Sequence, residues 1–214
     1  AQLDSKVGTG NWMCWLTADH GAATPPSLAQ SVGMPVDYWK PGNMIEDVKA
    51  DLNAFYGEGD WVLSYSNDQF FFNRPLMRER GVDLDEAQRR IQLLCQDYEG
   101  VTMAITGHDL TSGNTAGDPI AEKVRNGWSA SASGDVMIII QPGWIKYGLA
   151  GTTHGSPFPY DTHVPCIFYG WHVPTGITYE RTYIQDIAPT VAALIHSPMP
   201  NACTGKPIQA VLAQ

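Results

Sequence analysis

The chain has 214 residues, with 13 Lys and Arg against 22 Asp and Glu, for a formal charge of −9. Hydrophobic residues make up 43% and charged residues 16%, against about 25% charged in an average globular protein, so a core can be buried and intrinsic disorder is excluded. The acidic balance and scattered bases argue against a nucleic-acid polymer as partner, and no apolar run approaches the ~18–20 residues that span a bilayer.

The chain opens on Ala1-Gln2-Leu3-Asp4 without an initiator Met, basic start or apolar leader. Processing or truncation is therefore expected to have removed the true beginning. Trp12-Met13-Cys14-Trp15-Leu16-Thr17 is a continuous apolar run, the pattern of a strand covered on both faces. A glycine- and proline-rich loop over Ala18 to Asn43 follows, then a helix candidate from Met44 to Phe55. Trp61 to Tyr65 and Gln69 to Asn73 are β-rich runs around the turn composition Ser66-Asn67-Asp68, a hairpin excursion near 61–73.

Asp83-Leu84-Asp85-Glu86 has the spacing of a capping box. Leu84, Ala87, Ile91, Leu94 and Tyr98 then share a helical face, with Arg89, Arg90 and Gln92 opposite. Val101 to Thr106 and Asp135 to Ile140 read as strands, the second too apolar for a wet face, with a short helix over Ile120 to Arg125 between them. A second long loop, Pro142 to His163, feeds the strand Val164 to Tyr169. A last helix begins at Asp186, tolerates Pro189 in its first turn and buries Ile187, Val191, Leu194 and Ile195. Alternating strands and helices predict an α/β layered domain around a mostly parallel sheet. Of the four cysteines (Cys14, Cys95, Cys166, Cys203), at least three are expected to be buried small apolar residues, since no metal-finger spacing occurs.

Two loops concentrate chemistry. Leu16-Thr17-Ala18-Asp19-His20-Gly21 carries an apolar strand directly into a carboxylate and an imidazole, with Gly21 permitting a sharp change of direction. Such a pair at a strand's end suits a borderline cation such as zinc. It also suits a capped turn with a packed histidine. Gly151-Thr152-Thr153-His154-Gly155-Ser156 and Tyr160-Asp161-Thr162-His163-Val164-Pro165 add two histidines and an aspartate in a rigid loop, either a second arm of the same site or an ordinary surface loop. His108, His172 and His196 read as surface or packing residues, and Asn67-Asp68 as turn chemistry. Trp39, Trp144 and Trp171 either wall a pocket or close the edge of the core.

In combination these motifs resemble the bacterial type I phosphodiesterase/nucleotide pyrophosphatase-like alkaline phosphatases, a branch of the alkaline phosphatase superfamily. Ile184-Gln185-Asp186-Ile187-Ala188-Pro189-Thr190 and Cys203-Thr204-Gly205-Lys206-Pro207-Ile208 extend the similarity to the tail. Ser66-Asn67-Asp68-Gln69, Lys123-Val124 and Gln141-Pro142-Gly143-Trp144 fall in the expected order. The resemblance implies an alkaline-phosphatase-like three-layer sandwich with a mostly parallel central sheet, incomplete in this chain, with residues 1–214 forming the C-terminal part of one catalytic domain. It implies hydrolysis of phosphate monoesters at a site of two zinc ions. Asp19 and His20 would bind one ion and His154 the other, with Asp161 and His163 behind them as supporting groups.

The nucleophile and the remaining ligands are expected upstream of Ala1, so the chain alone is expected to have little or no turnover. A phosphodiesterase or nucleotide pyrophosphatase on the same scaffold, and a non-catalytic metal-binding module, are the alternatives. The partner implied is a small-molecule phosphate ester, and the compartment implied is the periplasm or beyond. Oligomeric state is not encoded in these motifs.

Overall fold

The computed structural model describes residues 2–146, 148 and 151–212. In chain order its elements are α1 (Gln2–Val7), β1 (Met13–Leu16), α2 (Pro26–Ser31), α3 (Gly42–Tyr56), β2 (Val62–Ser66), β3 (Gln69–Phe72), α4 (Arg74–Arg80), α5 (Leu84–Gln96), β4 (Val101–Thr106), α6 (Gly107–Ser112), α7 (Pro119–Gly127), β5 (Val136–Ile140), α8 (Pro159–Thr162), β6 (Ile167–Gly170), a 3-10 turn (Ile184–Asp186), α9 (Ile187–Leu194) and α10 (Gln209–Leu212). The chain forms two compact units, one from residues 20–163 and one from residues 1–19 with 164–214.

The unit of residues 20–163 is built on a four-stranded sheet in the order β2-β3-β5-β4. Asn67 and Asp68 take positive φ values of 48° and 54° and make the tight turn that reverses the chain between β2 and β3. The hairpin is part of the sheet, because β3 pairs on its other side with β5. Helix α3 places Met44, Val48 and Leu52, four residues apart, into the core with Trp61 and Phe70. Helix α5 begins at Asp83, whose carboxylate accepts the Glu86 N–H at 2.9 Å.

Its inner face carries Ala87, Ile91 and Cys95 and also Gln92, which the periodicity placed on the outer face. The Gln92 amide donates to Ala104 O and to Asp109 Oδ2, both within 2.8 Å, so a polar residue is buried there because it ties α5 to the β4–α6 turn. Asp135, 2% exposed, is satisfied in the same way by Arg74 Nε and the Phe72 N–H, each at 2.8 Å.

Every strand pair among the described residues is antiparallel, where the element alternation predicted a mostly parallel sheet. Among the described residues the one parallel contact is the isolated bridge Tyr38–Ile145. Apolar runs such as Val136 to Ile140 report burial on both faces and carry no information about strand direction.

In the other unit, β1 and β6 form an antiparallel two-stranded ribbon, Met13 opposite Gly170 and Leu16 opposite Ile167. The continuous apolar run of β1 predicted cover on both faces, yet Trp15 and Leu16 are 47% and 61% exposed. The ribbon has no third strand among the described residues, so its side chains have no layer to bury against. Cys14 and Cys166 are exposed for the same reason, and of the four free thiols only Cys95 is buried.

The tail motif closes on itself in this unit. Asp186 accepts the Tyr183 and Lys206 N–H groups, each at 2.8 Å. Its carbonyl takes the Thr190 hydroxyl at 2.6 Å, and Thr190 Oγ1 takes the Ile208 N–H at 2.8 Å. A Cβ on Gly205 would lie 2.0 Å from Gln185 O, so only glycine lets the two tail segments come this close. Ile195, expected inside α9, lies past its end and is 55% exposed.

Candidate metal centre

Residues 20–23 lie along the loop 152–161. The Gly21 N–H donates to Asp161 O at 2.8 Å and the Ala23 N–H to Thr153 O at 3.1 Å, while the Thr152 hydroxyl donates to Ala23 O. A Cβ on Gly21 would sit 1.9 Å from Tyr160 O. The glycine predicted here for a sharp turn is required instead for this close approach, since its own φ is not in the left-handed region.

The clasp brings together the two histidines singled out by the sequence. The His20 and His154 rings stack with centroids 3.4 Å apart and planes inclined by 16°. His20 Nδ1 lies 2.7 Å from Gly21 O. A carbonyl only accepts, so Nδ1 donates in this contact, and in the neutral imidazole Nε2 is then the nitrogen with the lone pair that a metal needs.

Ring lone pairs lie in the ring planes, and planes so nearly parallel do not meet within the ~2 Å of a Zn–N bond. The two imidazoles therefore cannot share one ion in good geometry. Among the described residues, no group of three His, Cys, Asp or Glu side chains converges on a single point.

Asp161, at the end of the loop, is 5% exposed. Its Oδ2 accepts the Ser156 N–H at 2.8 Å, whereas Oδ1 is buried without a hydrogen-bond partner. Both Asp161 and His154 line a cavity of about 560 Å³ within this unit, together with Lys123, Lys146, Trp144 and Tyr160. Trp144 is therefore a pocket wall, with an indole N–H that also has no partner, whereas Trp39 is a core residue at 5% exposure. His163 is exposed, and its backbone N–H closes α8 on Pro159 O at 2.8 Å. Asp19 is exposed at the end of its own unit, next to His20 in sequence. His108, expected at the surface, pairs there with Asp85 at 2.8 Å.

Two features of the cavity had no counterpart in the motif reading. Lys123 Nζ on α7 reaches Pro157 O and holds the histidine loop from outside. Asp68 Oδ1 accepts from the Tyr65 hydroxyl at 2.9 Å and from the Trp39 indole at 3.2 Å. Burial, then the neighbouring Asp68 charge, pushes the Tyr65 hydroxyl far above its ordinary range, so it stays a donor. The Asn67-Asp68 turn composition was visible in sequence; its partners, far away in the chain, were not.

No protein-family model matches the chain. It is 31% identical over 217 residues to alkaline phosphatase PafA of Elizabethkingia meningoseptica, covering 99% of this chain and 39% of that protein. It is 33% identical over 217 residues to a calcium-transporting ATPase of Myroides odoratus, covering 100% and 39%. To alkaline phosphatase PhoV of Synechococcus elongatus it is 33% identical over 213 residues, covering 98% and 38%. The crystal structure of wild-type PafA matches with a TM-score of 0.88 at 31% identity, over 99% of this chain and 40% of that one. The chain thus spans well under half the length of these relatives. It is homologous to the PafA and PhoV alkaline phosphatases over that length and has the fold of the corresponding part of PafA.

Proposed function

We propose that this chain supplies one arm of a two-zinc site that hydrolyses phosphate monoesters, the alkaline phosphatase reaction. The observation that carries this reading is the facing pair His20 and His154, whose ring planes do not converge on a single ion. When bound, such ions supply Lewis-acid charge to the attacking and leaving oxygens of an in-line displacement.

By the family resemblance, Asp19, next to His20 in the chain, would be its co-ligand on one ion, and His154 would bind the other. The Gly21 carbonyl would keep the hydrogen of His20 on Nδ1 and leave Nε2 as the metal-binding nitrogen of the neutral ring. The chain's net charge of −9 opposes an anionic substrate, and the two dications are what offset it locally. A Thr or Ser nucleophile is assigned to sequence preceding residue 1 in a longer protein, and export to the periplasm or beyond fits the same assignment. Among the described residues, no helix is long and apolar enough to cross a membrane.

The test is hydrolysis of p-nitrophenyl phosphate against bis(p-nitrophenyl) phosphate by the longer protein, stripped with a chelator and reconstituted with zinc. Zinc-restored monoester turnover exceeding diester turnover supports the reading. Diester turnover in excess favours the phosphodiesterase alternative, and no zinc-dependent turnover of either favours the non-catalytic module. The 214-residue polypeptide alone is expected to turn over little of either ester.

A further inference from the structure

We propose that Asp161 is a positioning residue for the two imidazoles, acting on both histidine loops through three different atoms; this rests on the two-zinc reading. Its carbonyl oxygen holds the Gly21 N–H, one residue after His20. Its Oδ2 holds the Ser156 N–H, two residues after His154. A single residue, 5% exposed, therefore fixes the backbone on both sides of the stacked pair.

The third atom does different work. A buried carboxylate oxygen without a partner is costly, and native structures keep such a group where it meets a cation or a donor. Oδ1 of Asp161 is buried and unpartnered, and the residue lines the cavity that His154 also lines. It supplies negative charge to the cavity that His154 also lines, which raises the affinity of that cavity for a cation.

Asp161→Asn and Asp161→Ala separate these roles. Asparagine keeps an acceptor for the Ser156 N–H but replaces the negative charge with an amide; alanine removes both. Amide hydrogen exchange on the metal-free protein reads the clasp. Gly21 and Ser156 are expected to be protected in the wild type and in Asp161→Asn, and at least tenfold less protected in Asp161→Ala. Competition of zinc against a chelator reads the charge, with Asp161→Asn expected to bind on the order of 10–100-fold more weakly than wild type.

Unprotected amides in the wild type, or wild-type protection of both amides in Asp161→Ala, would overturn the clasp. Wild-type zinc affinity in Asp161→Asn would overturn the charge role. A wild type that binds no zinc would overturn the two-zinc reading and the charge role with it, while the exchange data still decide the clasp.

Discussion

The imidazoles of His20 and His154 lie face to face, 3.4 Å between centroids and inclined by 16°, although 133 residues lie between them in the sequence. Backbone bonds between residues 21–23 and 153–161 hold the two loops together. Removing one imidazole should therefore remove one ion and leave the clasp in place. For His20→Ala and His154→Ala separately, zinc content of the reconstituted protein is expected to fall from two ions toward one, with affinity at the altered position down by more than the ~10–100-fold typical of losing a supporting group. Inductively coupled plasma mass spectrometry checks this.

Gly21→Ala tests whether close approach is what the glycine provides. The added Cβ would meet the backbone oxygen of Tyr160 at 1.9 Å, and since Cβ is fixed to its own backbone neither atom can swing away. A loss of about 1–3 kcal/mol is expected, the usual cost of overpacking, measured as a lower denaturant midpoint at unchanged slope. Gly33→Ala, with open space around its Cβ but a φ of +83°, is a control for strain without a clash.

The thiols give a third test. Cys95 is buried and its thiol is pushed up to about 12 by burial, whereas Cys14 and Cys166 are exposed on or beside the ribbon. Under native conditions at neutral pH, an aromatic disulfide reagent should titrate Cys14 first. Cys166 should follow, because burial and then the Asp186 charge raise its thiol. Cys95 should react only on unfolding.

Alkaline pH should destabilise the unit of residues 20–163. The folded values of Cys95 and Tyr65 lie above their ordinary values of 9.0 and 10.0, so the unfolded chain ionises first. Their contribution to stability is complete below about pH 9 and is lost as pH rises through the folded values. Denaturant unfolding from pH 8 to 11 should show falling stability. Tyr65→Phe should flatten that slope above pH 10, at about 1 kcal/mol lower stability at neutral pH from the lost bond to Asp68.

Local signals in the sequence carried much of this architecture. The strand Val101 to Thr106 is found at its expected limits, and the Asp83 cap works as its spacing implies. The His20 and His154 loops were also legible, since a strand ending in Asp-His and a loop dense in ligands are local patterns. Features that depend on distant partners were not legible. The need for Gly21 comes from Tyr160, the burial of Gln92 from Ala104 and Asp109, and the exposure of Cys14 from the missing cover on a two-stranded ribbon. Strand direction fails for the same reason, because an apolar run encodes its faces and not its neighbours.

Anomalous diffraction at the zinc edge from zinc-soaked crystals of the protein tests the central claim most directly. Two separate peaks are predicted, one at His20 Nε2 and one at His154. A single peak bridging both imidazoles, or no peak at either, would contradict the account.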